Sequence, residues 1–380
     1  MKFNQIVAAA TALALSGAAL AQGPAAKPTP VKAAPSRPLP AGAHEPLADG
    51  EGRSVAEKLA VKLEQNFVYA DQAKRYATML RSNASAGRYD KGNRIELAEM
   101  MTGDLQAVAK DGHLQVQVAE PDEGGPGAGP IRIPKNWPPL IQSAKWLAQG
   151  IAYIRFTAFM STDEEVAAVR KFMADHKDAK TIIFDLRNHH GGRLGEMDEI
   201  FPYLFAEKTP LVTLEMPIST FDREGSPFGE APTLELAKGD TYARVTHHAL
   251  PNEVESLRNA QVYLLVSNRT ASAGEHFSLA FKSTGRATLI GEATAGANHF
   301  GGPEPVGDHF SAFIPIGRTF DIKTGKDWEG TGVAPDIEVD PKLALVVALE
   351  KAGLSPAEAS RIDATEIPAE PVHRDRVLAR

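Results

Sequence analysis

The sequence predicts an α/β fold in which a small helical subdomain precedes a core built on a buried sheet. Two observations predict it: short apolar runs typical of buried strands alternate with helical stretches, and three amphipathic segments come before them. The predicted strands are Ile151–Phe156, Thr181–Leu186, Val262–Val266 and Ala287–Gly291, and the predicted core helices are Asp163–His176, Ala273–Ser283 and Pro341–Gly353. We expect a surface or frayed tail after Ser355.

The helical subdomain is predicted over residues 51–112. Its first helix is expected to begin at Ser54, which has a glutamate three residues on, as in a capping box. The second and third helices are expected to begin at Asp71 and Asn93, each followed by apolar residues on one face. The apolar stripe of the first helix comprises Val55, Leu59, Leu63 and Phe67.

The first 21 residues have the pattern of a secretory signal. Lys2 precedes an apolar run that ends in a small-x-small exit at Ala19-Leu20-Ala21. The run is too short and too alanine-rich for a membrane anchor. We therefore expect export to the periplasm or the extracellular space, without stable membrane insertion. Residues 22–50 are rich in Ala and Pro and are predicted to be a disordered linker.

Composition excludes several classes of function. The chain of 380 residues has no cysteine, which excludes disulfides and thiolate chemistry. Its formal net charge is −7 and it has no basic cluster, so no nucleic-acid partner is expected. Neighbouring side chains such as His189 and His190 rarely chelate one ion together, so we expect no metal, and no cofactor is predicted. The oligomeric state stays open.

The stretch from Val262 to Ser283 contains the first candidate for catalysis. An apolar strand leads through a polar turn into a helix, and Ser272 lies at the junction. Backbone N–H groups at such a junction are unpaired and can stabilise an oxyanion, so Ser272 is a candidate nucleophile. Ser272 and Glu275 also have capping-box spacing, and on this stretch alone a helix cap is the more common role.

Three further stretches supply the partners that a serine nucleophile requires. One predicted strand ends in a turn with Gly191 and Gly192. His113 lies in a glycine-containing turn, and Glu329 lies in a loop between a tryptophan and a glycine. Alone, these are an ordinary tight turn, a surface histidine and a solvated acid. Together with Ser272 they provide a nucleophile, an imidazole, a carboxylate and backbone donors, which is the set used in acyl transfer.

Four motifs follow one another along the chain. They are Asp185-Leu-Arg-x-x-x-Gly-Gly192, Asn268-x-Thr-Ala-Ser-Ala-Gly-Glu275, Gly291-Glu-x-Thr-Ala-Gly296 and Gly332-Val-x-Pro-Asp336. In this order they resemble the tail-specific (C-terminal processing) protease family. More narrowly, the chain resembles the branch that contains the interphotoreceptor retinoid-binding protein repeats and the tricorn protease core. The resemblance extends from about Ser54 to Pro341.

The resemblance implies a serine-type peptidase that acts on peptides or proteins. It implies a crotonase-like α/β core over residues 113–345, followed by a C-terminal helix and tail over residues 346–380. Ser272 would form the acyl-enzyme, and the N–H groups of Ala273 and Gly192 would form the oxyanion hole. Gly191 and Thr270, which lie beside these groups in sequence, would contact the substrate.

Two departures from the family pattern refine this expectation. Members with a Ser-Lys dyad place the lysine where this chain has Ala297, whereas tricorn-like members use a histidine and a late glutamate. The matching positions here are His113 and Glu329, so the resemblance implies a Ser-His-Glu arrangement in which His113 takes the proton and Glu329 orients its ring. No PDZ domain is expected, because only Leu114 to about Gly150 separates the helices from the core.

Two other functions stay open. Retinoid-binding relatives hold apolar ligands on the same core, so a non-catalytic binding protein for apolar ligands or peptides is one alternative. An esterase would use the same acyl chemistry on small esters. A lipid that co-purifies with the protein would favour the first alternative, and faster turnover of esters than of peptides would favour the second.

Overall fold

The computed structural model describes residues 40, 42–119, 137–368 and 370–372. The predicted signal segment and most of the predicted linker lie outside the described residues. Within those ranges, no helix is both long enough and apolar enough to cross a membrane.

Helices and strands alternate along the described part of the chain. The helices are α1 (Glu51–Asn66), α2 (Ala70–Ser85), α3 (Arg94–Val108), α4 (Asp163–Asp175), α5 (Gly195–Leu204), α6 (Ile218–Glu224), α7 (Ala273–Thr284), α8 (Ala344–Lys351) and α9 (Pro356–Asp363), with a 3₁₀ turn at Pro341–Leu343. The strands are β1 (Gln115–Val118), β2 (Ile141–Ala148), β3 (Ile151–Phe156), β4 (Thr181–Asp185), β5 (Thr209–Pro217), β6 (Leu234–Lys238), β7 (Tyr242–Ala249), β8 (Gln261–Val266), β9 (Thr288–Gly291), β10 (Phe300–Gly307), β11 (Phe310–Phe320) and β12 (Ile337–Glu338).

The core sheet has the order β12-β9-β8-β4-β3-β2. All of its neighbours pair in parallel except β2, which pairs with β3 in the antiparallel direction. Alternate side chains face opposite layers: Ile154 and Phe184 pack under α4, α5 and α7, whereas Tyr153 and Ile183 pack against α8 and α9. The four strands expected from apolar runs are β3, β4, β8 and β9, so the α/β prediction is confirmed.

A second sheet is antiparallel, and the sequence patterns did not predict it. Its order is β1-β11-β5-β7-β6, and β10 also pairs with β11. Helices α1 to α3 bury their apolar faces against it, in one cluster that contains Leu59, Leu63, Phe310 and Ile314. The predicted apolar stripe of the first helix is therefore confirmed, and the helical segment shares its core with this sheet.

Several predicted element ends need correction. Helix α1 begins at Glu51 after Gly50 rather than at Ser54, and α2 begins just before Asp71. The predicted start of the third helix at Asn93 is confirmed, because Asn93 is its N-cap and its Oδ1 accepts from the N–H of Glu96 at 3.0 Å. Of the expected surface or frayed tail after Ser355, the frayed alternative is wrong for Pro356–Asp363, which forms α9 and packs against α8. Most side chains of α9 are exposed, as a surface segment requires, and residues 373–380 lie outside the described residues.

The neighbouring strands β4 and β8 bring two loops together. Asp185 pairs in register with Leu265, so the loops that follow both strands leave the same edge of the sheet. The buried Asp185 carboxylate accepts from Arg155 Nε at 3.0 Å, from Arg187 Nη2 at 2.7 Å and from the Tyr153 hydroxyl at 2.7 Å. This network fixes the start of the glycine-containing loop.

Candidate active site

Ser272 lies in a strained conformation at the start of α7. Its φ of 52° and ψ of −116° are outside the extended region that N-cap residues normally adopt. Among the described residues, only Ser161 is a second non-glycine residue with positive φ. A capping role alone does not require such a backbone. Strain of this kind persists where the surrounding structure imposes it, and it concentrates at functional sites.

The Gly191–Gly192 turn packs directly against Ser272. A β-carbon on Gly191 would come within 2.7 Å of Ser272 Cβ, and one on Gly192 would lie 1.8 Å from the carbonyl oxygen of Phe159. Both glycines have positive φ, 101° and 133°. Only glycine therefore fits at either position without displacement of its neighbours.

Two backbone N–H groups beside Ser272 are available. In the described part of the chain, neither Ala273 N–H nor Gly192 N–H donates a backbone hydrogen bond. Ala273 is the first residue of α7, where the helix leaves N–H groups unpaired and its dipole favours negative charge. Unpaired donors at this location are what an oxyanion hole requires.

The turn is supported by His189, whose contribution the sequence analysis did not foresee. Its Nδ1 accepts from the N–H of Gly191 at 3.1 Å, and its ring packs against Phe159 with centroids 4.2 Å apart. Complete burial lowers the pKa of His189 to about 3, so the ring is a neutral acceptor. His190 instead contacts Glu370, with Nε2 and Oε2 3.2 Å apart.

Thr270 is fully buried in the loop that presents Ser272. Its hydroxyl donates to the carbonyl of Leu186 at 2.7 Å and accepts from the N–H of Ser267 at 3.0 Å. These bonds join the two loops that follow β4 and β8. A contact between the Thr270 side chain and a substrate would require this loop to open.

Glu275 holds the backbone of Ser272. Its buried carboxylate accepts from Ser272 N–H at 2.8 Å and Ala297 N–H at 2.9 Å, and its other oxygen accepts from Gly296 N–H and the Thr294 hydroxyl at 2.7 and 2.6 Å. Burial raises the pKa of Glu275 to about 7 despite these donors. The capping-box partner predicted for Ser272 thus also anchors the turn that contains Ala297.

His113 lies against Phe313 in a stacked arrangement, with ring centroids 5.0 Å apart and planes inclined by 23°. Its Nδ1 is buried and has no hydrogen-bond partner within the described ranges. Burial lowers the pKa of His113 to about 4, so the ring is neutral at neutral pH. No hydrogen bond among the described residues joins this ring to Ser272 or Glu329.

Glu329 binds backbone groups rather than the ring of His113. One carboxylate oxygen accepts from Gly112 N–H at 2.6 Å, and the other accepts from Asn298 N–H at 2.7 Å and His299 N–H at 3.1 Å. Burial raises the pKa of this carboxyl group. Glu329 therefore joins the turn that carries His113 to the turn that follows Ala297.

A different histidine, His299, binds a carboxylate, that of Asp111. The sequence patterns did not mark His299 as a site residue. Its Nδ1 lies 2.7 Å from Asp111 Oδ2 and 3.7 Å from Glu329 Oε2. Burial opposes the charge on both partners, but their mutual attraction outweighs it, raising the pKa of His299 and lowering that of Asp111. The only available signal was the position of His299 just after a family motif, 188 residues from Asp111.

Within the described residues, Asp111, His299 and Glu329 are also close enough together to be considered as ligands of a metal ion. One potential ligand atom from each of Asp111, His299 and Glu329 lies within 4.8 Å of the others. A cation there would have to replace the proton between His299 Nδ1 and Asp111. Glu329 would also have to release backbone N–H groups, so the donor set is better suited to an internal ion pair.

Together, the parallel sheet, the strained serine and the unpaired N–H groups define an α/β protein with a strained serine turn between strand β8 and helix α7. The model of Peptidase family S41 matches residues 150–339, which is half of the chain. The chain belongs to this peptidase family.

Individual relatives are distant. The carboxyl-terminal-processing peptidase 3 of Arabidopsis thaliana chloroplasts is 26% identical over 188 residues, a match that covers 49% of this chain and 31% of that protein. The chain thus matches only about a third of the length of this relative. A candidate peptidase from Parabacteroides merdae has 19% identity and a TM-score of 0.50, covering 76% of this chain and 90% of its own. The photosystem II D1 C-terminal processing protease has 14% identity and a TM-score of 0.47, covering 78% of this chain and 95% of its own.

Proposed function

We propose that this chain is an exported serine peptidase that cleaves peptide bonds through an acyl-enzyme on Ser272. The observation that carries the proposal is the strained backbone of Ser272 beside the unpaired N–H groups of Ala273 and Gly192. This arrangement exposes a hydroxyl where negative charge can be stabilised. Membership in peptidase family S41 supports the same activity.

In the proposed reaction, Ser272 Oγ attacks the carbonyl carbon of a peptide bond while His113 accepts the hydroxyl proton. The N–H groups of Ala273 and Gly192 stabilise the oxyanion, and Gly191 leaves room for the substrate beside Ser272. His113 then gives its proton to the leaving amine as the C–N bond breaks. Water, deprotonated by the same ring, hydrolyses the ester and releases the acid and the free serine.

His113 has the properties of a base that would have to move before it can contact Ser272. Its lowered pKa keeps the ring neutral at neutral pH, and its unpartnered Nδ1 is free to be oriented. The ring would leave its stack on Phe313 to reach Ser272, and catalytic hydrogen bonds often form only when substrate is bound. In the present conformation Glu329 would orient this base through the backbone of Gly112 rather than through its ring.

The finer features of the fold and location belong to the same proposal. We infer a crotonase-like core without a PDZ domain, supported by the parallel sheet and by the short interval, residues 119–140, between β1 and β2. We infer export from the signal pattern in residues 1–21. Fractionation of cells that express the full chain, with N-terminal sequencing of the product, tests this part.

A fluorophosphonate probe tests the nucleophile directly. We expect wild-type protein to be labelled once, at Ser272, and Ser272→Ala to lose both labelling and cleavage of a peptide library. Ser283→Ala is the matched control, because this serine lies at the other end of α7. Wild-type protein that resists the probe and cleaves no peptide would contradict the proposal, as would equal labelling of Ser272→Ala.

A further inference from the structure

We propose that His299 is a positioning residue for the base: paired with Asp111 and Glu329, it locks the turn that carries His113 against the turn that follows Ala297. The inference rests on the proposed function, because it takes His113 as the group that accepts the proton of Ser272. It assigns a role to a histidine that neither spacing nor motif had marked.

The Asp111 carboxylate connects His299 to the turn of the base. Its Oδ1 accepts from the N–H groups of His113 and Leu114, each at 2.9 Å, which fixes the backbone of the base itself. Its Oδ2 binds His299 Nδ1 at 2.7 Å. One rigid carboxylate therefore transmits the position of the His299 ring to the backbone of His113.

Glu329 closes the same connection from the other side. It accepts from Gly112 N–H on the first turn and from Asn298 and His299 N–H on the second. The two turns are in contact, because a β-carbon on Gly112 would lie only 3.0 Å from the Cα of Ala297. A shift of the second turn must therefore move the first.

The two carboxylates need a cation between them. Asp111 is 5% exposed and the Glu329 side chain 11%, so these two largely buried carboxylates would repel each other strongly if the ring between them were neutral. The raised pKa of His299 and the lowered pKa of Asp111 agree with an imidazolium held between them. We call Asp111, His299 and Glu329 together the clamp. It is held by the ion pair between His299 and Asp111 and not by packing alone.

His299 is poorly placed to be the base. Its Nδ1 is committed to Asp111, and its buried Nε2 has no partner among the described residues. The ring lies edge-on to Phe67 and Tyr69, with centroids 6.4 and 5.5 Å away. Its surroundings on that side are aromatic side chains of the helical segment, not Ser272.

The clamp depends on pH in a defined direction. A raised pKa means that the clamp is complete below the usual histidine pKa and is lost as pH rises through the folded value. The ionisable groups that face His299 are Asp111 and Glu329 directly, His113 and Asp327 through their charges, and Tyr69 through its ring. Glu275, which binds the N–H of Ala297, is a further titrating group near the second turn.

The test measures the rate of fluorophosphonate labelling of the full chain against pH, separating the maximal rate from the probe affinity. His299→Asn keeps a donor at the place of Nδ1 but cannot titrate, and His299→Leu removes the donor. Asp111→Asn keeps an acceptor for the His113 and Leu114 N–H groups but removes the charge. Thermal unfolding of each variant shows whether it folds.

We expect wild-type labelling to decline on the alkaline side. His299→Asn keeps a donor but not the positive charge, so its maximal rate should already be reduced at neutral pH and should show no such decline. His299→Leu should lower the maximal labelling rate by about 10- to 100-fold with little change in probe affinity. The loss is smaller than the full contribution of a general base, because the base is still present but less well positioned. Asp111→Asn should give an intermediate loss. A decline of the labelling rate at alkaline pH that is caused by Glu275 would remain in His299→Asn, so it can be distinguished from a decline caused by His299.

The outcomes separate this inference from the proposed function. If wild-type protein is not labelled at Ser272, the proposed function fails. If labelling requires Ser272 and His113 but is unchanged in both His299 variants at every pH, the positioning role is wrong and the peptidase proposal stands. If His299→Asn is as inactive as Ser272→Ala while His113→Ala is labelled normally, His299 is the base and the positioning role is also wrong.

Discussion

The carboxylate of Glu275 accepts a hydrogen bond of 2.8 Å from the backbone N–H of Ser272. The same oxygen accepts from Ala297 N–H, and the second oxygen accepts from two further donors. Three of the four partners are backbone N–H groups, which cannot accept, and they face both oxygens, so the group must accept at both oxygens to satisfy them. The strained backbone of the nucleophile is therefore tied to the chemistry of one buried acid.

Glu275→Gln should destabilise the protein and lower labelling of Ser272. An amide must point its NH₂ group at one pair of partners, so at least one buried backbone N–H loses its acceptor, a loss of about 1–3 kcal/mol of unfolding free energy. Urea unfolding measures this change. Glu358→Gln is the control, because the Glu358 side chain is exposed and closes a capping box at the start of α9, so its loss should leave the midpoint nearly unchanged. Equal midpoints for the two variants would contradict the assignment.

Gly191→Ala should abolish labelling without unfolding the protein. Its β-carbon would lie 2.7 Å from Ser272 Cβ, so the Gly-Gly turn must move away from the nucleophile. We expect labelling to fall by about 100-fold or more, as for the loss of an oxyanion donor. Gly229→Ala is the control, because Gly229 also has a positive φ, 69°, but a β-carbon there would have no neighbour within 4 Å. Normal labelling of Gly191→Ala would mean that this turn does not shape the site.

The strands and turns that could be predicted from the sequence are those that a local pattern of residues specifies. The apolar runs of β3, β4, β8 and β9 indicate buried parallel strands, and glycines at a strand end indicate a close approach, so the surroundings of Ser272 were foreseen. The antiparallel sheet was missed because β1 pairs with β11, Gln115 opposite Phe313, and no local pattern reports such a partner. His299 was missed for the same reason, because only the tertiary fold brings it to Asp111.

The rate of Ser272 labelling should fall on the acid side near pH 4 rather than near 6.5. Burial lowers the pKa of His113 to about 4, so the ring stays a competent base until the pH falls below that value. Protonation then removes the acceptor for the serine proton. The labelling rate of wild-type protein against pH measures this limb. His113→Gln should be labelled slowly and should show no such decline on the acid side. A decline of the wild-type rate near pH 6.5 would mean that the base is a solvated histidine.

The lowered pKa of His113 also has a consequence for stability. A histidine with a folded pKa below its unfolded value contributes stability that is complete above about pH 6.5 and lost as the pH falls towards 4. Urea unfolding midpoints of wild-type protein should therefore decline over this interval. His113→Gln should decline less, since glutamine does not titrate. An equal decline in both proteins would assign the effect to other groups.

Asp185→Asn should be the most destabilising of these single substitutions. Burial opposes ionisation of Asp185, but Arg187 and Arg155 outweigh it and hold the pKa of this carboxyl group well below its usual value. Loss of its charge leaves two buried guanidinium groups without a counter-ion, at a cost of about 3–5 kcal/mol. Asp175→Asn is the matched control, because Asp175 pairs with Lys171 at 2.6 Å on the surface of α4. Such exposed pairs contribute about 0.3–0.5 kcal/mol.

Because Arg187 also donates to the carbonyl of Pro341, Asp185→Asn should loosen the C-terminal helices first, which hydrogen exchange can detect. Unfolding midpoints that do not differ between the two variants would show that the buried network does not anchor the loop beside Ser272.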